Sequence, residues 1–309
     1  LFCRLPMPAR SHLDLVAVLS LLLGCMLWGL NQVSIKLALP EVPALVQVSI
    51  RSIVAFVLLL GWMRWRGLRW DWLGPSLLPG LLAGFLFATE FALAFVGLQH
   101  TTAARGVVFI NTSPFVVALV LAALHRGERL MPLQSVGLLI AFAALAAAFG
   151  EGFSLTAAGT TWRGDLMILV AAVLWGLPTV TIRLSVLRSA PSEVTLAWQL
   201  GVAALLSPLA ALVHGDAWPQ SWSLLAIGSM VYQGVIVTFA SYLLWFWLLT
   251  RYPATQVQAF VLLTPVFGTL SAGLLLDEPI TPALLLALVG ICLGLVLLNR
   301  RPPVRTSPA

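Results

Sequence analysis

Ten predominantly apolar stretches, each roughly 20 residues long, follow one another along this 309-residue chain with short breaks between them. A helix rises about 1.5 Å per residue, so about 20 residues cross a hydrocarbon core of about 30 Å. Inside that core, water is absent and every backbone amide must be satisfied within the chain, which leaves helices or a closed β-barrel as the spanning structures. A barrel needs strands that alternate with a period of two, and no such alternation is present. Composition points the same way: 60% hydrophobic residues, 9% charged residues and a mean hydropathy of +1.01 lie well outside the range of soluble domains. The sequence therefore predicts an all-α polytopic membrane protein. Its ten transmembrane helices are placed at 13–37, 43–63, 75–98, 101–124, 131–149, 164–187, 192–214, 222–249, 253–276 and 281–299. Pro40 and Pro43, Gly74-Pro75, Gly127 with Pro132, Pro191, Pro219, Pro253, and Pro279 with Pro282 mark the breaks. The first apolar run is longer than the core of a cleavable signal peptide and is read as span 1.

The formal charge of +6 is a topology signal in such a chain rather than a mark of nucleic-acid binding. With the N-terminus inside, Arg4, Arg10, Arg64, Arg66, Arg69, Arg126, Arg129, Arg188, Arg251, Arg300, Arg301 and Arg305 all fall on the inner side, against Lys36 and Arg163 outside. Glu41, Glu151, Asp165, Asp216, Asp277 and Glu278 fall outside. Both tails, 1–12 and 300–309, are therefore expected in the cytoplasm, in agreement with an even number of spans. Trp62, Trp65, Trp70 and Trp72 beside the basic loop after span 2 are expected to anchor the chain at the interface.

The chain also repeats itself. Leu27-Trp28-Gly29-Leu30 in span 1 matches Leu174-Trp175-Gly176-Leu177 in span 6, with Lys36 and Arg183 at the same offset. Asn111-Thr112-Ser113-Pro114 in span 4, followed by Gly127-Glu128, matches Leu263-Thr264-Pro265 in span 9, followed by Asp277-Glu278. The predicted division is a first five-helix repeat at 13–149, a linker at 150–163 and a second five-helix repeat at 164–299. Five is odd, so the second copy enters the membrane inverted relative to the first. Inverted repeats supply two near-equivalent packings and hence a site that opens to either side in turn.

On these residues the sequence resembles the drug/metabolite transporter superfamily, in particular the ten-helix, two-repeat EamA-type members. The resemblance rests on the two Trp-Gly pairs, on Pro114 and Pro265, and on Glu128 and Glu278. It implies a transporter with a central cavity lined by spans 1, 3, 4, 6, 8 and 9, one that exports amino acids or related metabolites across the inner membrane. With twelve tryptophans and fifteen phenylalanines, the chain is most similar to aromatic amino acid exporters.

Read from the residues, the candidate substrate contacts are Trp28, Asn31, Phe87, Glu90, Phe91, Asn111, Trp175, Phe239, Tyr242 and Gln258. Trp28 and Asn31 lie three residues apart on one helix face, where they suit an amphipathic solute or pack two helices together. Phe87, Phe91 and Phe95, and likewise Phe239, Tyr242, Trp245 and Phe246, form aromatic stripes at helical spacing, either cavity walls or packing faces. Asn111, Gln256 and Gln258 are amides that must face something polar in hydrocarbon. Pro114 and Pro265 remove ladder hydrogen bonds at mid-span, which predicts kinks and candidate hinges. Charges within spans are costly and mark function by default: Arg51, Glu90 and Arg105 qualify. Arg51 and Glu90 sit at the same depth, so Glu90 pairs with Arg51 or Arg105, or else carries a proton or a substrate ammonium. Glu128 and Glu278 are read as structural anions near helix N-termini.

The four histidines form no HExxH pattern and the cysteines Cys3, Cys25 and Cys292 no metal spacing. An intramembrane enzyme is thereby disfavoured, a channel is disfavoured because no glycine-rich filter sequence appears, and no metal or cofactor is expected. No GxxxxGK[ST] loop is present to bind ATP. The expected partners are a small-molecule substrate and the lipid bilayer, with no nucleic acid and a monomer as the working state. A nucleotide-sugar carrier is the competing reading within the superfamily; it would call for several buried basic groups, and only Arg51 and Arg105 are available.

Overall fold

The computed structural model describes residues 13–124, 131–153, 161–252, 257 and 260–299. Within them the chain is helical and follows the predicted order: span 1, Leu15–Ala38; span 2, Ala44–Trp65; span 3, Leu77–His100; span 5, Pro132–Glu151; span 6, Trp162–Arg183; span 7, Ser192–His214; span 10, Pro282–Asn299. Span 4 consists of two helices, Ala103–Ile110 and Ser113–Leu124, and span 9 is helical over Leu263–Leu275. Span 8 begins as an α-helix at Leu224–Val231, widens to a π-helix over Tyr232–Ser241 and returns to α over Tyr242–Arg251. Eight of these segments are long and apolar enough to cross a bilayer, and spans 9 and 10 are shorter apolar helices. Helix starts follow local chemistry. The side chains of Asp14, Thr102 and Ser223 accept the backbone N–H groups of Ala17, Arg105 and Ala226, and Pro132 opens span 5 where its missing N–H costs nothing.

The most extensive helix contacts join one repeat to the other: span 5 with span 10, span 3 with span 6, span 2 with span 7, span 1 with span 9, and span 3 with span 7. Lipid tails are as apolar as the helices, so these contacts depend on close packing, and small residues sit where backbones meet. A Cβ on Gly29 would lie 2.6 Å from the Gly268 nitrogen, and one on Gly294 would lie 2.7 Å from the Gly137 carbonyl oxygen. The matching Gly176 faces Ser113 and Val117 of span 4. The first helix of each repeat thus packs on the fourth helix of the other, which is why the Trp-Gly pair occurs twice.

The proline spans are broken as well as bent. In span 4 the Asn111 side chain donates to the Val107 carbonyl at 2.7 Å, and Thr112 Oγ1 donates at 2.7 Å to the Phe109 carbonyl, which also accepts the Asn111 and Thr112 backbone N–H groups, so both side chains bond the backbone around the interruption before Pro114. In span 9 the carbonyls ahead of Pro265 are served by thiols: Cys25 Sγ lies 3.0 Å from the Phe260 oxygen and Cys292 Sγ 3.7 Å from the Leu262 oxygen. Two cysteines with no evident role in the sequence thus cap a helix interruption.

One end of the bundle gathers the acidic groups, and there too the ties cross between repeats. The Glu278 carboxylate accepts the N–H groups of Ala103 and Ala104 at 2.8 and 2.9 Å, capping span 4 from the other half. Glu41 accepts the Ser223 hydroxyl at 2.5 Å and its N–H at 2.8 Å, and Asp216 accepts the Leu45 N–H at 3.2 Å. Arg105 is held here as well. Its Nη2 lies 2.6 Å from Asp165 and its Nη1 3.2 Å from Glu151, while Thr101 and Thr281 donate to the same two carboxylates.

Two outcomes test this packing. Gly29→Leu has no room against Gly268 and is expected to destabilise the protein by about 1–3 kcal/mol, whereas Gly24→Ala, with open space around it, changes stability by less than about 0.5 kcal/mol; denaturation in micelles reads both. The two Ser223 hydrogen bonds hold the Glu41 carboxyl below its usual range. Such a group contributes stability above its unfolded value of about 4.3, and the contribution is lost as pH falls through the lower folded value. Glu41→Gln should therefore melt slightly below the parent at pH 7, with the gap closing in strong acid.

Candidate substrate-binding centre

Hydrogen bonds tie polar side chains of spans 1, 2 and 8 together inside the bundle. The π-helical stretch of span 8 is the hub. Its wider turn lets Thr238 donate to the Gln233 carbonyl five residues back, at 2.7 Å, and directs Gln233, Thr238 and Ser241 inward, where all three are buried. Arg51 Nε donates to Thr238 Oγ1 at 3.1 Å, Gln233 donates to the Gln47 side-chain oxygen at 3.0 Å, and Trp28 Nε1 donates to Ser241 Oγ at 2.7 Å. Tyr232 donates to the Leu27 carbonyl at 2.6 Å. Isolated π turns inside α-helices concentrate at functional sites, because they rotate side chains off the regular face.

Charge lies at the middle of this centre. Arg51 is 2% exposed and Glu90 3% exposed, on facing spans of the first repeat. No hydrogen bond joins them: Arg51 Nη1 and Glu90 Oε2 are both buried without a partner, and so are Asn31 Oδ1, Ser34 Oγ, Gln233 Oε1 and Thr264 Oγ1. An unpaired polar atom in hydrocarbon costs several kcal/mol, so each of these atoms has hydrogen-bonding capacity that its own chain does not use. Around the centre stands an aromatic wall. The Arg51 guanidinium lies 4.0 Å above the centre of the Phe91 ring and 5.2 Å from that of Phe95, and Phe87 packs edge-on against Phe91 at 4.6 Å. On the other side Trp28 packs on Trp245 at 5.2 Å and on Tyr242 at 6.3 Å. Trp28, Ser241 and Trp245 also line a cavity of about 10 Å³ between spans 1 and 8, room for about one water.

Measured against the sequence expectations, the structure puts Trp28 in contact with Tyr242 and puts Phe91 under Arg51 with Phe87 beside it, while Glu90 and Asn31 are buried on the same two spans, 3 and 1. Phe239 packs partly buried against the cluster of spans 2, 3 and 7. Asn111 turns back to its own helix at the span 4 break. Trp175 does not join the centre: the interface position beside it belongs to Gly176, and the indole is 37% exposed. Arg105 is not a partner for Glu90, because Asp165 in the first turn of span 6 takes its guanidinium from two directions at the acidic end. Gln256, Gln258 and Glu128 lie outside the described residues. Gln47, Gln233, Thr238 and Ser241 were not anticipated; their signal was present as polar residues inside apolar spans, and the α-helical spacing applied to span 8 favoured its aromatics instead.

Comparison with known proteins agrees with this architecture. The EamA-like transporter family matches the chain twice, over residues 15–150 and 162–300. An uncharacterized transporter of Archaeoglobus fulgidus is 28% identical over 277 residues, 88% of this chain and 91% of that one. A protein of Escherichia coli K12 named "Probable amino-acid metabolite efflux pump" is 28% identical over 285 residues, 89% of this chain and 91% of its own length. A solved structure that is 22% identical superposes with a TM-score of 0.64, covering 94% of this chain and 98% of that chain, which shows a shared fold. With both repeats matched and membrane transporters among its relatives, the chain belongs to the EamA-like transporter family.

Proposed function

We propose that this transporter exports amino acids or closely related zwitterionic metabolites across the inner membrane, by alternating access around the centre built from Arg51, Glu90 and the π-helical stretch. One observation carries the reading: a buried guanidinium and a buried carboxylate face the same aromatic-walled region, each with an unpartnered polar atom. Arg51 Nη1 offers a donor to a carboxylate, and Glu90 Oε2 offers an acceptor to an ammonium group. Phe91 and Trp28, with Tyr242, give the solute side chain an apolar and aromatic bed. The name of the Escherichia coli relative favours the same substrate class. Both termini lie in the cytoplasm, as the distribution of arginine predicts.

Alternating access needs a flexing element, and the two interrupted spans supply it. Pro114 and Pro265 each follow a break in the helical ladder, and their half-helices cross the opposite repeat at Gly176 of span 6 and Gly29 of span 1. Glu90 serves as the coupling group: it takes a proton when no ammonium is present and releases it on binding, which ties export to the proton gradient.

Counterflow of labelled amino acids into proteoliposomes tests the whole proposal. Uptake is expected for at least one zwitterionic amino acid, with a fall of roughly tenfold or more in Arg51→Gln at equal reconstitution, as for a charge-assisted hydrogen bond of about 1.5–3 kcal/mol. Glu90→Gln should flatten the pH dependence of transport; an unchanged pH profile removes the coupling role. Pro114→Ala with Pro265→Ala should slow turnover at unchanged expression, and normal rates would remove the hinge.

A further inference from the structure

Away from the centre, at the arginine-rich end, the segment after span 2 encloses a surface cavity of about 290 Å³ lined by Leu60, Met63, Arg64, Gly67, Leu68, Arg69 and Trp70. We propose that this cavity binds the phosphate head group of an anionic phospholipid, whose acyl chain lies along span 2.

Four features carry the assignment. First, the cations are uncommitted: among the described residues no carboxylate pairs with Arg64 or Arg69, and Asp71, the acid of the segment, makes no ion pair with them. Second, the negative end of span 2 is neutralised. The carbonyls of Trp62, Met63 and Arg64 accept the N–H groups of Arg66, Leu68 and Gly67, in a turn closed by Gly67 at φ +67°, so that an anion meets arginine rather than open carbonyls. Third, the cavity sits at the hydrocarbon boundary. Trp65, Trp72 and Leu73 beside it are 74%, 58% and 67% exposed, while Trp62 and Trp70 are turned inward, so only two of the four tryptophans act as plain anchors. Fourth, exposed Ile53, Val57 and Leu60 line up at helical spacing and run from the cavity rim into the bilayer, a track for an acyl chain that a free phosphate would not need. Basic pockets at the cytoplasmic surface are suited to acidic lipid head groups, each arginine near the surface adding about 1 kcal/mol.

The site is also placed to act on transport. The Trp70 ring meets Trp198 edge-on at 5.1 Å and Phe56 at 6.1 Å, and Trp198 Nε1 donates to Ser76 Oγ at 3.3 Å at the start of span 3. A Cβ on Gly84 would lie 2.7 Å from the Trp198 carbonyl oxygen, so the backbones of spans 3 and 7 approach closely here. A bound lipid thus braces the junction of spans 2, 3 and 7, the side by which the centre would open to the cytoplasm.

Native mass spectrometry of the full-length protein, delipidated and offered phosphatidylglycerol or phosphatidylcholine, tests this. Phosphatidylglycerol should be retained in preference, and Arg64→Gln with Arg69→Gln should lower its retention by roughly tenfold or more, while Arg188→Gln, an exposed arginine outside the cavity, leaves it unchanged. Equal retention of the two lipids by the unaltered protein overturns the proposal, as does an equal loss in the Arg188 variant. Displacement by inorganic phosphate also overturns it, in favour of a soluble anion. Should the double variant not fold, Arg69→Gln alone and Leu60→Asn, which interrupts the acyl track, give the same decision.

Discussion

Hydrocarbon offers no hydrogen bonds, and the position of every polar group in this chain follows from that constraint. Carbonyls beside the interruptions in spans 4 and 9 are met by Asn111, Thr112 and two thiols. Carboxylates at the acidic end are each matched to an arginine, a hydroxyl or a helix N-terminus. Against this background, the buried polar atoms without a partner include those of Arg51, Glu90, Asn31 and Gln233. Others, among them Trp62 Nε1, Trp70 Nε1 and Ser207 Oγ, are scattered over the bundle; what sets Arg51 and Glu90 apart is that they are the charged ones.

The fold was legible because bilayer thickness converts directly into sequence length. Ten apolar stretches gave ten spans, and the Trp-Gly and proline matches gave the division into halves. The glycine of each pair explains its own recurrence, since it admits the fourth helix of the opposite repeat. Less legible was what lies within a span. Mid-span prolines predicted kinks, and the structure shows interruptions, met in span 4 by its own Asn111 and Thr112 and in span 9 by side chains of other spans; partners such as Cys292 lie far away in sequence and carry no local signal.

The candidate site was read in part. Arg51 and Glu90 could be placed together by counting residues from the helix ends, because depth is a one-dimensional quantity. Which arginine faces Glu90 could not be counted, since it depends on rotation about the helix axis and on rival partners such as Asp165. The π-helical stretch of span 8 was hidden for a related reason: a change in winding alters which residues share a face, and the spacing rule that selected Phe239 and Tyr242 assumes regular α geometry. Repeat symmetry had its own limit at Trp175. Its sequence match to Trp28 is good, yet the two halves have diverged in what surrounds the indole.

The capping of span 4 by Glu278 has a consequence for biogenesis. A ribosome delivers Ala103 and Ala104 long before residue 278 emerges, so the amides that open this helix wait through the synthesis of five further spans before their carboxylate arrives. The same delay applies to Gly29 and Gly137, whose packing surfaces lie on spans 9 and 10. The cross-repeat contacts of the first half can therefore form only once the later spans that supply their partners have been made.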